Sequence, residues 1–258
     1  MLKIERQNII DQEINKQGFV LVPAMSEMLK CSEETIRRDL KEMESQGRLM
    51  RTHGGAYLID NFDKTYPTNL RKTYYHQTKD CLARRAVEHM QENDIVMLDS
   101  STTCLALAEA MIRSQKMLSV ITNSLQICLL CNESNINNIN LICPGGAFRR
   151  RTSSFADQHT IDMLRTYHAD RAFISCPKLT VEYGLSDNHL SEARVRETML
   201  KQSQERYLIV DHTKFNSSAN ILFEGLELVD MIITDQKLDE DWERYIASRG
   251  IKVEYCTE

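Results

Sequence analysis

The chain has 258 residues, of which 42% are hydrophobic and 27% charged, and its formal net charge is −5 at pH 7. This length allows one small and one larger domain, and the composition is typical of a globular protein and excludes a disordered or fibrous one. No apolar run approaches the roughly 20 residues that a membrane helix needs, and no signal-peptide pattern precedes residue 18. We therefore expect a cytoplasmic protein with no membrane partner.

Two short helices are predicted at the beginning of the chain. Residues 2–17 carry isoleucines at helical spacing. Pro23 suits the first turn of a second helix, whose apolar residues extend to Leu29. A turn at Cys31 and Ser32 would then lead directly into a third helix.

The third predicted helix has signals at both ends and two different faces. Ser32 can cap its first turn with a hydroxyl, and Gly47 is typical of the residue that follows a helix. At about 100° per residue, apolar and basic side chains separate onto opposite sides. The apolar stripe consists of Ile36, Leu40 and Met43, and the basic side consists of Arg37, Arg38 and Lys41. An amphipathic surface helix with solvated charges would show the same pattern.

Three helices in this order describe a helix-turn-helix, whose last helix lies in the DNA major groove. Residues 49–58 are predicted to form a small hairpin, a wing, that turns near Gly54 and Gly55. Basic side chains on such a wing can reach the flanking phosphates. We assign DNA contacts to Ser32, Thr35, Arg37, Arg38, Lys41, Arg48, Arg51 and His53.

The overall acidity of the chain argues against nucleic-acid binding, but the charge is unevenly distributed. Residues 35–56 contain five Lys and Arg against three Asp and Glu, a local excess of two positive charges. A local basic face is sufficient for phosphate contacts, and binding should then depend strongly on salt concentration.

Arg6, Ile10 and Ile14 are followed by Ser32-x-x-Thr35-Ile36-Arg37-Arg38-Asp39-Leu40 and by Arg48-Leu49-x-Arg51-x-His53-Gly54-Gly55-Ala56. This spaced pattern resembles the signature of the DeoR family of bacterial repressors and covers residues 1 to about 57. The resemblance implies a winged helix-turn-helix domain that binds operator DNA.

The eight cysteines do not form a recognisable metal site. Only Cys128 and Cys131 are separated by two residues, within an apolar run that is typical of a helix. A zinc site would need a second such pair or a nearby histidine. We predict buried free thiols, no metal and no cofactor.

Residues 59–78 lack periodicity and are interpreted as a linker between a DNA-binding domain, 1–58, and a sensor domain, 79–258. Strands and helices alternate after the linker, which predicts an α/β fold with a mainly parallel sheet. The predicted strands are 94–98, 117–122, 139–143, 171–175, 206–210, 228–234 and 251–255. The predicted helices are 79–91, 102–112, 124–131, 161–167, 192–202 and 242–248.

Polar residues are concentrated where these predicted strands end and at the start of one helix. Ligands bind at the carboxyl ends of parallel strands, so this edge is the expected effector site. Hydroxyl groups at a helix N-terminus bind anions, and we predict that Ser101, Thr102 and Thr103 hold a phosphate, with simple helix capping as the alternative. The complete set is Asp99, Ser100, Ser101, Thr102, Thr103, Thr122, Asn123, Ser124, Gly145, Gly146, Arg149, Glu192, Asp211 and Lys214.

Other roles remain open for several of these residues. Gly145 and Gly146 allow close approach of a ligand or simply make a tight turn. Arg149 belongs to a run of three arginines that either pairs with an anion or is a solvated patch. Lys214 either contacts a ligand or pairs with Asp211.

Asp99-x-x-Thr102-Thr103, Thr122-Asn123-Ser124, Gly145-Gly146, Gly184-Leu185 and Asp211-x-Thr213-Lys214-Phe215 resemble the C-terminal sensor domain of the DeoR family. The fold of that domain resembles sugar-phosphate isomerases. The resemblance implies that the effector is a phosphorylated sugar or a related metabolite. The family usually has glycine where this chain has Ser101, and a glycine-containing loop where it has Ser175-Cys176-Pro177.

Together these interpretations predict a transcriptional repressor of carbohydrate-metabolism genes that a phosphorylated sugar releases from double-stranded operator DNA. Helix-turn-helix proteins read repeated half-sites as dimers, so we expect a homo-oligomer formed through the sensor domain. An activator is one alternative, because the sign of regulation depends on where the operator lies. The other is an isomerase-like enzyme in which Asp99, Glu192, Asp211 and Lys214 transfer protons. We predict that the chain is not an enzyme.

Overall fold

The computed structural model describes residues 1–52, 54–58, 68–73, 75–133 and 137–256. The chain divides into two compact units, Met1–Tyr74 and Tyr75–Glu258. None of the helices in the described ranges is both long enough and apolar enough to span a membrane.

The first unit combines helices with a small antiparallel sheet. Its elements are α1 Lys3–Gln17, β1 Phe19–Leu21, α2 Val22–Leu29, α3 Glu33–Ser45, β2 Met50–Arg51, β3 Gly55–Tyr57 and α4 Thr68–Thr73. The strand order is β1-β3-β2, and both pairings are antiparallel. The three predicted helices and the hairpin are therefore present. Strand β1 was missed because three residues are too few to show a period.

Local sequence explains where α3 begins and ends. The Ser32 hydroxyl accepts a hydrogen bond from the backbone N–H of Thr35 at 3.3 Å, which caps the helix. Gly47 has a φ of 70°, a left-handed conformation that glycine adopts without strain, and it stops the helix after Gln46. The apolar stripe of α3 is fully buried with Ile10 and Ile14 of α1 in one core.

The second unit contains six α-helices and twelve strands among its described residues. In chain order these are α5 His76–Glu88, β4 Ile95–Leu98, α6 Thr102–Ser114, β5 Leu118–Thr122, α7 Leu125–Glu133, β6 Ile139–Ile142, β7 Phe148–Arg149, β8 Ser154–Phe155, α8 Gln158–Leu164, β9 Ala169–Ile174, β10 Lys178–Thr180, β11 Gly184–Asp187, α9 Leu190–Lys201, β12 Ser203–Ile209, β13 Ile221–Glu224, β14 Met231–Thr234, α10 Glu240–Arg249 and β15 Lys252–Tyr255.

A seven-stranded parallel sheet forms the centre of this unit, in the order β15-β14-β12-β9-β4-β5-β6. The predicted α/β fold is confirmed, with strand ends that differ by a few residues. Alternate side chains of the strands enter two cores. One core contains Leu98, Val120 and Phe173, and the other contains Met97, Ile121 and Ala172.

Short antiparallel strands supplement the parallel sheet. Strands β10, β11 and β13 form a small sheet, and β7 pairs with β8 in a hairpin. The sequence did not predict them, because strands of two to four mixed residues have no recognisable alternation. These additions lie in the connections that follow β6, β9 and β12, and they carry side chains toward the carboxyl edge of the sheet.

The order of the strands locates a crevice at that edge. From β4 the chain first builds outward through β5 and β6, and then returns to the other side of β4 with β9, β12, β14 and β15. Ligands bind in the crevice that opens where the strand order reverses. In this sheet the reversal lies between β4 and β9.

Two sequence-based predictions differ from the structure. The predicted linker begins with residues 59–67, which lie outside the described residues, but residues 68–73 form α4 and α5 begins at His76 rather than at residue 79. The cysteines are free but not uniformly buried. Cys81, Cys104, Cys176 and Cys256 are buried, Cys31, Cys128 and Cys131 are half-buried, and Cys143 is exposed. Its position directly after an edge strand explains this exposure.

Candidate DNA-binding face and effector site

The basic side of α3 faces away from the core. Arg37, Arg38 and Lys41 are all exposed. The Arg37 guanidinium pairs with Glu33 one turn earlier, at 2.7 Å between Nη2 and Oε2. Arg38 and Lys41 have neither a hydrogen bond nor an ion pair from their side chains to any described residue. Two cationic side chains on this helix are therefore available for an external anion.

Asp39, between these cations in sequence, points the other way and anchors the helix. Its carboxylate is 2% exposed and accepts two hydrogen bonds from Arg6 of α1, at 2.7 Å from Nε and 3.2 Å from Nη2. Bidentate pairs of this kind are both strong and directional. The pair fixes α3 on α1, which is a role that the spacing of the motif did not reveal.

The other predicted DNA contacts are in different environments. The hydroxyls of Ser32 and Thr35 are hydrogen-bonded to each other at 2.9 Å near the start of α3. Arg48 forms an ion pair with Asp11, and Arg51 pairs with Glu44 at 3.0 Å. To contact DNA, both arginines would have to exchange their carboxylate partner for a phosphate. His53 lies outside the described residues.

At the crevice in the second unit, the first charged group is Asp99, directly after β4. Asp99 is 1% exposed, and its Oδ2 accepts a hydrogen bond from Arg196 Nε of α9 at 2.6 Å. Arg196 also forms an ion pair with Asp187 at the end of β11. Burial would lower the pKa of the guanidinium, but Asp187, Asp99 and Glu192 together raise it above its ordinary value.

Glu192, one turn before Arg196, is the most heavily hydrogen-bonded side chain of the crevice. Its Oε2 accepts from Ser100 Oγ at 3.1 Å. Its Oε1 accepts from Arg149 Nη1 and Thr152 Oγ1, both at 2.8 Å, and from Ser154 Oγ at 2.5 Å.

These contacts determine the charge state of Glu192. Burial alone would raise the pKa of the carboxyl group. The charges of Arg196 and Arg149 and the hydroxyls of Ser154 and Thr152 outweigh that effect and lower the pKa below its ordinary value. The carboxylate is therefore ionised, and both of its oxygens accept hydrogen bonds.

The residues around the N-terminus of α6 are buried, and some of their polar groups form hydrogen bonds with neighbouring residues. Ser101 caps the helix through a hydrogen bond from Cys104 N to its Oγ at 3.0 Å, and its own N–H donates to Asp99 Oδ1. Thr102 and Thr103 form the first turn, and both are buried. The first N–H groups of a helix have no partner within the helix, so an anion-binding end is preserved here.

At the end of β5, the predicted residues mainly hold a turn together. Thr122 Oγ1 accepts from Ser124 N at 3.1 Å, and Ser124 Oγ accepts from Ile127 N at 3.3 Å. Asn123 is fully buried, and its Nδ2 donates to the carbonyl of Phe155 at 2.9 Å. Its Oδ1 has no hydrogen-bond donor among the described residues. Asn123 is thus the residue of this group with an acceptor still unused.

Gly145 and Gly146 follow β6 and have backbone conformations that suit glycine. Their φ angles are 69° and 113°, which favour glycine. A Cβ atom on Gly146 would collide with the side chains of Asp157 and Thr160. Gly146 therefore allows the backbone to approach the start of α8 closely.

Asp211 and Lys214 lie in the short turn after β12. Asp211 is 1% exposed, and its Oδ2 is 3.6 Å from Lys214 Nζ. Burial would raise the pKa of Asp211, but Lys214, Thr213 and Lys79 lower it. Lys178 at the start of β10 donates from Nζ to the Thr213 carbonyl at 3.0 Å. Burial and the nearby Lys214 lower the pKa of Lys178, so two lysines converge here.

The two groups of charged side chains are adjacent. Burial raises the pKa of Cys176 to about 12, and the charges of Arg196, Asp187, Lys214 and Asp99 all act on its thiol. Cys176 is therefore close both to the Glu192–Arg196 network and to Lys214. The predicted residues brought together are Asp99, Ser100, Arg149 and Glu192 in the network, and Asp211 and Lys214 beside it.

Five members of the site were missed from the sequence: Thr152, Ser154, Lys178, Asp187 and Arg196. Arg196 offered a usable signal, because it follows Glu192 by four residues and so shares its helix face. The others depend on the β7–β8 hairpin and the β10–β11 pair, which the sequence did not predict.

Comparisons with known proteins agree with both units. The model of the DeoR-like helix-turn-helix domain matches residues 6–62, and that of the DeoR C terminal sensor domain matches residues 75–236. The chain is 31% identical to the HTH-type transcriptional regulator GlpR of Haloferax volcanii over 253 residues, 98% of each protein. It is 31% identical to the L-fucose operon activator of Escherichia coli over 239 residues, 92% of this chain and 96% of that protein.

A third relative is the glycerol-3-phosphate regulon repressor of Escherichia coli, which is 27% identical over 258 residues, 99% of this chain and 100% of that protein. Among solved structures, ribose 5-phosphate isomerase A from Neisseria gonorrhoeae overlaps 54% of this chain and 53% of its own, with 14% identity and a TM-score of 0.38. The matches over both units show that this chain belongs to the DeoR family of DNA-binding transcriptional regulators.

Proposed function

We propose that this chain is a repressor of carbohydrate-metabolism genes, which binds double-stranded operator DNA through α3 and leaves it when a phosphorylated sugar occupies the crevice of the sensor sheet. The observation that carries the DNA-binding part is the exposed side of α3, where Arg38 and Lys41 have no partner among the described residues. Such a function places the protein in the cytoplasm with the chromosome.

The crevice supports a small polyhydroxylated anion as the effector. Lys178 and Lys214 converge beside one buried carboxylate, and the N-terminus of α6 offers a second place for a phosphate. Ser100, Thr152 and Ser154 supply hydroxyl groups that can exchange partners with those of a sugar. The names of relatives that regulate glycerol-3-phosphate and L-fucose genes point to the same class of metabolite.

The same geometry argues against an isomerase. A general base for proton transfer should have a pKa near neutrality and a free oxygen that faces the substrate. Glu192 has both oxygens engaged by four donors, and its pKa is lowered rather than raised. Asp211 also has a lowered pKa and pairs with Lys214. The site is therefore suited to binding, and we infer that the chain is not an enzyme.

Regulation requires that the effector bind two states of the protein with different affinities. Helix-turn-helix domains bind paired half-sites, so we infer a homo-oligomer formed through the sensor domain. The relatives include both an activator and a repressor. Repression is the simpler scheme, because a protein that occupies an operator overlapping a promoter represses transcription without any further contact.

The DNA-binding proposal is tested by replacing Arg38 with alanine and measuring the affinity for promoter fragments of its own locus by fluorescence anisotropy at low salt. Loss of a base-reading arginine should cost about 1–3 kcal/mol, or roughly 5- to 150-fold in affinity. Arg165→Ala, an exposed arginine of the sensor unit, is the control. An Arg38→Ala affinity within about twofold of the parent protein would remove α3 from the DNA contact.

A further inference from the structure

Helix α7 carries more apolar side chains than the described structure buries. Its nine residues include Leu125, Ile127, Leu129 and Leu130 as well as two cysteines. Of these, Ile127 is buried, whereas Leu129 is 44% exposed and the other apolar side chains are half-buried. Apolar side chains of a helix are normally covered by packing against other elements. Among the described residues, Leu129 is the apolar side chain of α7 that stays exposed.

The neighbouring strand β6 is an edge of the seven-stranded sheet and lacks the usual protection of an edge. Edge strands commonly carry charged residues that prevent pairing with another chain. The opposite edge, β15, has Lys252 and Glu254. Strand β6 consists of Ile139, Asn140, Leu141 and Ile142, without a charge or a proline. Its free side is therefore able to accept another strand.

The charge distribution indicates what covers this region. From residue 117 to residue 148 the sequence contains one Asp, Glu, Lys or Arg residue, Glu133. In a two-fold interface the same patch meets itself, so any charge would face its own copy or lie close to it. A nearly neutral surface is compatible with self-association, whereas a charged partner would find no complementary group here.

We propose that the α7–β6 surface, formed by α7 and the free edge of β6, is the two-fold interface between two copies of this chain. The β6 strands of the two copies pair antiparallel, which joins the two parallel sheets and satisfies the unpaired backbone groups of both edges. Each α7 is then covered by its counterpart across the axis. This inference rests on the proposed function only in that paired half-sites require a dimer.

The test uses the full-length protein and two substitutions at exposed positions of this surface. Leu129→Glu places a carboxylate on α7, and Asn140→Lys places a cation on the exposed side of β6. Each substitution enters the interface twice, and at about tenfold per copy the dimer dissociation constant should rise ~100-fold. The matched control is Leu222→Glu on β13, where the leucine is 53% exposed, against 44% for Leu129.

Analytical ultracentrifugation across a dilution series gives the dissociation constants, and circular dichroism shows that each variant is folded. The expected result is a dimer for the parent protein and for Leu222→Glu, and dissociation for the other two. A monomeric parent protein at about 10 µM would overturn the proposal and leave the surface for a different partner. A dimer that survives both Leu129→Glu and Asn140→Lys would also overturn it.

Hydrogen exchange on the parent protein keeps the proposal testable if a variant fails to fold. Protection of the amides in β6 should fall on dilution below the dissociation constant, whereas β15 should be unaffected. Equal protection at all concentrations would contradict the assignment. If the protein dimerises through this surface but binds no promoter fragment, the proposed function is refuted and the proposed interface is still supported.

Discussion

Replacing Arg196 with methionine tests the network that organises the effector crevice. Methionine retains much of the volume of the arginine stem but removes the charge that lies between Asp99, Asp187 and Glu192. The Arg196 side chain is 6% exposed, and the three carboxylate side chains are at most 5% exposed. Removal of one partner from a buried ion pair typically costs about 3–5 kcal/mol, because the remaining charge has no compensation.

That loss is large enough to measure in two ways. Urea denaturation followed by circular dichroism should show a decrease of about 3–5 kcal/mol in the free energy of unfolding of the second unit. In a unit of this size the melting temperature should fall by about 6–20 °C. The control is Arg194→Met on the same helix, whose side chain is 57% exposed and pairs with Glu197, so that it should cost at most about 1 kcal/mol.

The effect should also depend on pH in a defined direction. The pKa of folded Glu192 is lowered, so its ionised form adds stability above the unfolded pKa of about 4.3, and that stability disappears as the pH falls through the folded value. Without Arg196 the folded pKa of Glu192 rises. The difference between parent and variant should therefore be largest near neutral pH and should shrink as the pH falls through the folded pKa of Glu192. A loss equal to that of Arg194→Met, or one independent of pH, would refute the reasoning.

Three further substitutions probe the remaining parts of the molecule. Lys214→Ala should abolish the response of DNA binding to a panel of sugar phosphates without weakening DNA binding itself. In the same anisotropy assay, Lys237→Ala, at an exposed lysine, should change neither the response nor the DNA affinity. An unchanged response of Lys214→Ala would remove Lys214 from the site. Asp39→Asn leaves Arg6 without its carboxylate and should destabilise the first unit by about 3 kcal/mol in thermal unfolding, and a melting curve like that of the parent would contradict the anchoring role. Gly146→Ala should cost more than about 1 kcal/mol, and more than Gly250→Ala, because both glycines have positive φ but only Gly146 lacks space for a Cβ atom; equal losses would disprove the steric argument.

Features that depend on neighbouring residues could be predicted before the structure was known. Ser32 and Gly47 bound α3 because capping and a left-handed residue are decided within a few positions. The parallel strands were identified from their apolar runs, and the carboxyl edge followed from their alternation with helices. Such signals depend on local hydrogen bonds and on side-chain period, both of which are written in adjacent residues.

Partnerships between distant residues could not be predicted in the same way. The sequence placed Glu192 and Lys214 among the candidates. It did not indicate that Arg149 and Ser154 donate hydrogen bonds to the Glu192 carboxylate. Nor did it indicate that Lys178 lies near Lys214. These contacts require the β7–β8 hairpin and the β10 strand to fold back over the sheet. Their short strands have no period of their own and are stabilised by tertiary packing.

By itself the sequence determined the nature of the two units, because helix caps and apolar periodicity act over a few residues. It also determined the basic side of α3, since three cations at helical spacing lie opposite an apolar stripe. Only the tertiary structure decided that Asp39 turns inward to Arg6 while Arg38 stays free, and that Arg196 pairs with the carboxylates of the crevice. The reason is physical: the energy of a buried charge depends on what surrounds it in space, and those surroundings come from parts of the chain that are far apart in sequence.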